Sequence, residues 1–178
     1  PQSEFERWYA VQPRVNLPIS AGGAQVLIVK FNDYQCPACA QSYEAYKPIF
    51  ARYESAQPGQ VRFVSLDFPL EAECNNAVPR GTHFAACEAA VAVRLERMKG
   101  RSDAMEEWLF TNHARLTPEL VRSAAREIGG VTDFDARYAA VLQAVKTDAA
   151  LASLNNVRST PTFFINGTMI VGALPPQF

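Results

Sequence analysis

Two cysteines separated by two residues, Cys36-Pro37-Ala38-Cys39, carry the spacing in this chain that supports chemistry. At the start of a helix, sulfurs at i and i+3 can close a short disulfide and open it again. The first sulfur would sit where free backbone N–H groups and the helix dipole favour an anion, so its thiolate is stabilised. That chemistry is thiol–disulfide exchange, with Cys36 attacking and Cys39 as its partner. The competing readings are a static bridge and half of a zinc site. A four-cysteine zinc site normally draws on two close pairs. Cys74 and Cys87, the remaining cysteines, are separated by residues 75–86, which is not a knuckle spacing. Their plainer reading is a structural bridge that pins the intervening loop. The alternative is a second redox pair that relays electrons. An even cysteine count suits an oxidising compartment, where a second bridge persists.

The surrounding elements must hold Cys36 at a helix start. Gln25 to Asn32 reads as a strand buried on both faces. A helix follows from Pro37 to about Tyr53, with Pro48 expected to kink it. Val61 to Leu66 gives a second strand reached by a helical crossover, hence a parallel βαβ unit. The pattern then turns helical. Phe84, Cys87, Val91, Leu95 and Met98 fall on one stripe, and Met105, Trp108 and Leu109 mark another helix. Thr117-Pro118 reads as an N-cap and first helical residue, with Gly129-Gly130 as the stop. Thr132 is expected to cap the last long helix, with Asp135 completing a box. At the tail, two short strands flank Asn166-Gly167, the signal for a type I′ hairpin. Residues 1–23, rich in Pro and Gly, read as an irregular lead-in with a short strand around Val11 to Val15. His83 and His113 are assigned surface or capping roles.

Composition narrows the field. The 178 residues are 48% hydrophobic and 20% charged, with a formal net charge of -1. No basic block recruits nucleic acid or a membrane surface, and no apolar run reaches the length of a membrane span. No Gly-rich phosphate loop follows either early strand, so no cofactor is expected. The chain opens at Pro1, and a leader or larger upstream part is expected to lie outside it.

Strand, CxxC, helix, a helical block and then Thr160-Pro161 before a hairpin form an order that resembles the thioredoxin superfamily, specifically its DsbA-like branch. The stretches Phe31 to Cys39, Asp67 to Asn75 and Pro161 to Gly167 look like the thioredoxin-like domains fused to, or paired with, bacterial vitamin K epoxide reductase homologues. The resemblance implies a thioredoxin-like α/β fold with a helical insertion in one domain. Its parts would be a lead-in or linker at 1–23, a first half at 24–81, the insertion at 82–155, and a cis-Pro loop with hairpin at 156–178.

It also implies roles. Cys36 matches the exposed nucleophile, Cys39 the buried resolving thiol, and Pro161 the cis-Pro that shapes the substrate groove. Thr160 matches the residue whose backbone pairs with bound peptide, and Pro37 and Ala38 fill the dipeptide that tunes the potential. Two positions depart from the pattern. Lys30 stands where many relatives carry a buried acid, so it either tunes the thiols as a cation or snorkels to solvent. Ala38 stands where the most oxidising relatives have His. The implied protein is an extracytoplasmic, monomeric thiol–disulfide oxidase acting on exported protein or peptide thiols and reoxidised by a quinone-linked membrane enzyme. A reductase or isomerase of the same fold is the alternative, and a non-catalytic metal-binding or chaperone-like module is the rival of another class. The fold normally begins another helix near Leu174 to Phe178, so the chain is expected to continue.

Overall fold

The computed structural model describes residues 1–178. A four-stranded mixed sheet runs in the order β2-β1-β3-β4. Strand β1 (Val26–Asn32) pairs in parallel with β2 (Val61–Asp67) and antiparallel with β3 (Thr162–Ile165). Strand β3 pairs antiparallel with β4 (Thr168–Val171), and Asn166 and Gly167 between them both have positive φ, as a type I′ turn requires. Gly167 is also needed for room, because a Cβ there would overlap the Val15 carbonyl. Helix α2 (Pro37–Ala56) connects β1 to β2 and continues through Pro48.

Four helices separate β2 from β3: α3 (Ala86–Met98), α4 (Ser102–Thr111), α5 (Pro118–Gly129) and α6 (Phe134–Leu154). They bury Val91, Leu95, Met105, Leu109, Val121 and Val145 in one apolar core that also takes in Cys36 and Cys39. A smaller core, with Val29, Phe31, Phe68 and Phe164, lies between the sheet and α6. Cys36 and Cys39 therefore sit at the seam between the sheet half and the helical insertion. Arg94 on α3 ties the halves together, reaching Asp67 at 2.9 Å and also pairing with Asp148 of α6. Burial still pushes the Asp67 carboxyl up to about 7, against the pull of Arg94. No helix is long and apolar enough to cross a membrane.

Several sequence expectations are corrected. The lead-in is not irregular throughout: Gln2–Val11 forms helix α1, and no strand occurs near Val11 to Val15. It is also fastened to the sheet. Val15 N–H donates to the Gly167 carbonyl at 2.8 Å, Tyr9 Oη donates to the Ile165 carbonyl at 2.9 Å, and Leu17 packs into the smaller core. Phe84 and Met98 leave the apolar stripe, being 75% and 61% exposed. The reason is that α3 begins only at Ala86 and Met98 is its last residue. Asp133, not Thr132, occupies the α6 N-cap position, and the Asp135 carboxylate accepts from Arg122 Nε at 2.7 Å instead of closing a box. Burial of β1 is complete only in its second half, Val29 to Asn32. The first half borders a cavity of about 240 Å³ walled by α2, the sheet and the Leu174–Phe178 tail.

Candidate active site

Cys36 is the N-cap residue of α2, with Pro37 at the first helical position. Proline suits that place because its missing N–H has no intrahelical partner there in any case. The turn leading into the helix is built by Asp33. Its carbonyl accepts the Cys36 N–H at 3.1 Å, and its Oδ1 accepts the Gln35 N–H at 2.7 Å. Across from the cysteine, the Thr160-Pro161 peptide is cis, and Cys36 Sγ lies 3.6 Å from the Thr160 carbonyl oxygen. Thr160 and Pro161 are thereby brought against Cys36, although they are far from it in sequence.

The two thiols, both free, are polarised in opposite directions. The Cys36 thiol is pulled down to about 5, first by a hydrogen bond from the Cys39 side chain, against desolvation, and further by the Cys39 backbone N–H. The backbone contribution is what a helix N-terminus offers an anion at its cap. Burial, followed by the hydrogen bond it gives to Cys36, pushes the Cys39 thiol far up. The arrangement can hold a thiolate on one sulfur and a proton on the other at neutral pH. Cys36 is less open than an exposed nucleophile would be: 7% of its surface is accessible, because it lies in the seam under the Thr160 carbonyl.

Lys30 does not snorkel to solvent. It is 3% exposed, and its Nζ turns under α2 to donate to the Cys39 carbonyl at 3.1 Å, which also accepts from Ser42 Oγ at 2.9 Å. Its ammonium lies 5.0 Å from the Phe110 ring centroid. Burial lowers the Lys30 pKa, and among the thiols it is Cys39, ahead of Cys36, whose charge opposes that shift. The Lys30 charge is thus felt more by Cys39 than by Cys36. Beneath it lies a cavity of about 190 Å³ lined by Ser42, Tyr43, Glu106 and Phe110, among others.

Cys74 and Cys87 are joined in a disulfide with a Cα–Cα distance of 6.0 Å. The bridge fastens the loop after β2 to the first turn of α3. A trio of possible metal ligands, Glu71, Glu73 and Cys87, draws on a sulfur already engaged in this bridge. One residue near the site escaped the sequence reading. His83 Nδ1 lies 2.7 Å from Asp33 Oδ2, at the entry to α2, whereas the sequence offered no sign beyond a lone histidine in a loop. His113, by contrast, makes only a local contact with the Phe110 carbonyl.

A mixed sheet with a CxxC at the head of α2, a cis-proline opposite it and a four-helix insertion defines a thioredoxin-like α/β fold of the DsbA-like kind. The family model described as Thioredoxin matches residues 19–177, and the chain belongs to that family. Among solved structures, alpha-DsbA1 from Wolbachia pipientis superposes with a TM-score of 0.70 at 15% identity, covering 92% of this chain and 88% of that one. A periplasmic thioredoxin-like protein from Salmonella enterica serovar Typhimurium gives a TM-score of 0.64 at 20% identity, covering 93% and 84%. At these identities the likeness is one of fold. The Na+/H+ antiporter NhaA 3 of Salinispora tropica is 30% identical over 147 residues, which are 81% of this chain and 20% of that protein. The chain thus spans about a fifth of the length of this curated relative.

Proposed function

We propose that this chain is a protein thiol–disulfide oxidoreductase working outside the cytoplasm, as an oxidase that passes its Cys36–Cys39 disulfide to exported proteins. The observation that carries the reading is the split between the two thiols, Cys36 at the helix cap pulled down to about 5 and its neighbour Cys39 kept protonated by burial. A substrate thiolate attacks the Cys36 sulfur of the disulfide. The Cys36–Cys39 bond breaks, a mixed disulfide forms, and Cys39 leaves as a thiolate that takes up a proton. A second substrate thiolate then attacks the substrate sulfur of that mixed disulfide. Cys36 leaves as a thiolate, the substrate is oxidised by two electrons and the protein is reduced. A stable Cys36 thiolate is a good leaving group and favours the reduced protein, so the disulfide is oxidising. Thr160 and Pro161, set against Cys36, are the residues proposed to meet the substrate backbone.

The reoxidant is proposed to be a quinone-linked membrane enzyme similar to vitamin K epoxide reductase homologues. The likeness of Phe31 to Cys39 and of Asp67 to Asn75 to domains paired with such enzymes supports this. Support for a membrane-side location comes from relatives named as Na+/H+ antiporters, in which the matching segment is a small part of the whole. Equilibration against glutathione redox buffers tests the direction. An oxidase predicts a potential above about −200 mV, whereas a value near thioredoxin's, about −270 mV, makes the chain a reductase. Reconstitution of the reduced protein with the membrane enzyme and a quinone tests the partner. Thiol loss no faster than with quinone alone removes it.

A further inference from the structure

The loop between β2 and α3 folds back over the start of α2. Its Leu70 N–H donates to Asp33 Oδ2 at 2.8 Å, and its Leu70 carbonyl accepts from the Thr82 and His83 N–H groups at 3.0 and 3.2 Å. Gly81 makes the close return possible, since a Cβ there would stand 2.8 Å from the Glu71 Cα. This closure brings His83 Nδ1 to 2.7 Å from the Asp33 oxygen that Leu70 already holds. The Asp33 side chain has no exposure to solvent, while that of His83 keeps 17%.

Asp33 is a mildly unfavourable neighbour for a thiolate, its charge weighing less on Cys36 than the hydrogen bonds and burial there. It stands three residues before Cys36, is bonded to it through the backbone, and its charge works against ionisation of the sulfur. The side chain bonded to that carboxylate is the mostly buried imidazole of His83. We propose that His83 is a positioning residue that acts through Asp33: protonated, it cancels the carboxylate beside Cys36 and lets the thiolate form, and neutral, it leaves that carboxylate facing the sulfur. The inference rests on Cys36 being the attacking thiol.

The groups facing His83 are Asp33 from the turn after β1, Cys36 at the head of α2, and Glu71 from its own loop. The Asp33 hydrogen bond raises the His83 pKa, burial opposes it, and the charges of Asp33, Cys36 and Glu71 add to the rise. Coupling of this kind is reciprocal: if the imidazolium favours the thiolate, the thiolate favours the imidazolium by the same factor. Closing the Cys36–Cys39 disulfide removes the thiolate, so His83 must hold its proton less tightly in the oxidised protein.

The test is an NMR titration of the His83 ring in the reduced and the oxidised protein, with the resonance assigned from His83→Gln. The His83 pKa should be higher in the reduced protein by about half a unit or more. His83→Gln should raise the Cys36 midpoint by a similar amount and slow alkylation below that midpoint about threefold. His83→Lys, which keeps a cation beside Asp33, should hold the parent midpoint. Equal His83 values in the two redox states overturn the proposal, and so does a rise in His83→Lys equal to that in His83→Gln. If Cys36 in the parent titrates as an ordinary thiol, it is the functional reading that falls, and this coupling with it.

Discussion

Acidification should remove a specific increment of stability from the reduced protein and leave the oxidised protein without that loss. The Cys36 thiol has a pKa of about 5 in the fold against a reference value of 9.0. A depressed folded pKa contributes stability that is complete above the unfolded value and is lost as pH falls through the folded one. The window is therefore pH 5 to 9. At pH 7 the thiolate is about two units above its folded midpoint, which corresponds to roughly 2.7 kcal/mol. At pH 4 almost nothing of it remains. The same increment, spread over two electrons, makes the disulfide about 60 mV more oxidising at pH 7 than an ordinary thiol in this position would. The assay is urea unfolding of both redox forms at several pH values, with thiolate absorbance or alkylation rate giving the midpoint directly. The stability of the reduced form minus that of the oxidised form should rise by about 2.7 kcal/mol between pH 4 and pH 7. Cys36→Ser cannot form the disulfide, and its single form should lack the extra gain in stability between pH 4 and pH 7 that the reduced parent shows. A change below about 0.5 kcal/mol, or an alkylation midpoint at or above about 8.5, refutes the reasoning.

Lys30→Met should raise the Cys39 pKa further and slow resolution of a mixed disulfide, with a smaller effect on Cys36, because the buried ammonium lies against the Cys39 turn. Stopped-flow decay of a trapped Cys36 adduct measures it, and an unchanged rate removes Lys30 from the chemistry. Replacing Cys74 and Cys87 by serine opens a loop with a sequence separation of 13. The expected loss is about 3 kcal/mol in denaturant unfolding with most activity retained, and an equally stable but inactive variant would make the bridge a relay instead. Arg94→Met strands Asp67 and Asp148 beside each other and should cost about 3 kcal/mol above pH 7. That loss should shrink on acidification, since Asp67 already takes up a proton at about 7 with Arg94 in place.

The local elements of this protein were legible in the sequence because each rests on interactions within a few residues. Apolar runs gave β1 and β2, Thr117-Pro118 gave the start of α5, and Asn166-Gly167 gave the hairpin turn. The CxxC at a helix start was equally plain, since cap geometry and dipole follow from the helix alone. Misreadings fell where packing between distant segments decides. Phe84 and Met98 fit a helical stripe by spacing, yet the ends of α3 leave them exposed. The lead-in looked like a linker, yet Leu17 fills a gap beside Phe31 and Phe164 that only the assembled sheet creates. Lys30 could not be placed from its strand, because the side that it faces depends on α2 and Phe110 closing over it. His83 carried no local signal at all. Its meeting with Asp33 exists only once the loop after β2 has folded back over α2, a contact across 50 residues that no periodicity encodes. Sequence alone determined that two thiols would share a helix start. Tertiary structure decided which charges surround them, because burial and Coulomb interactions depend on distance in space and not on distance along the chain.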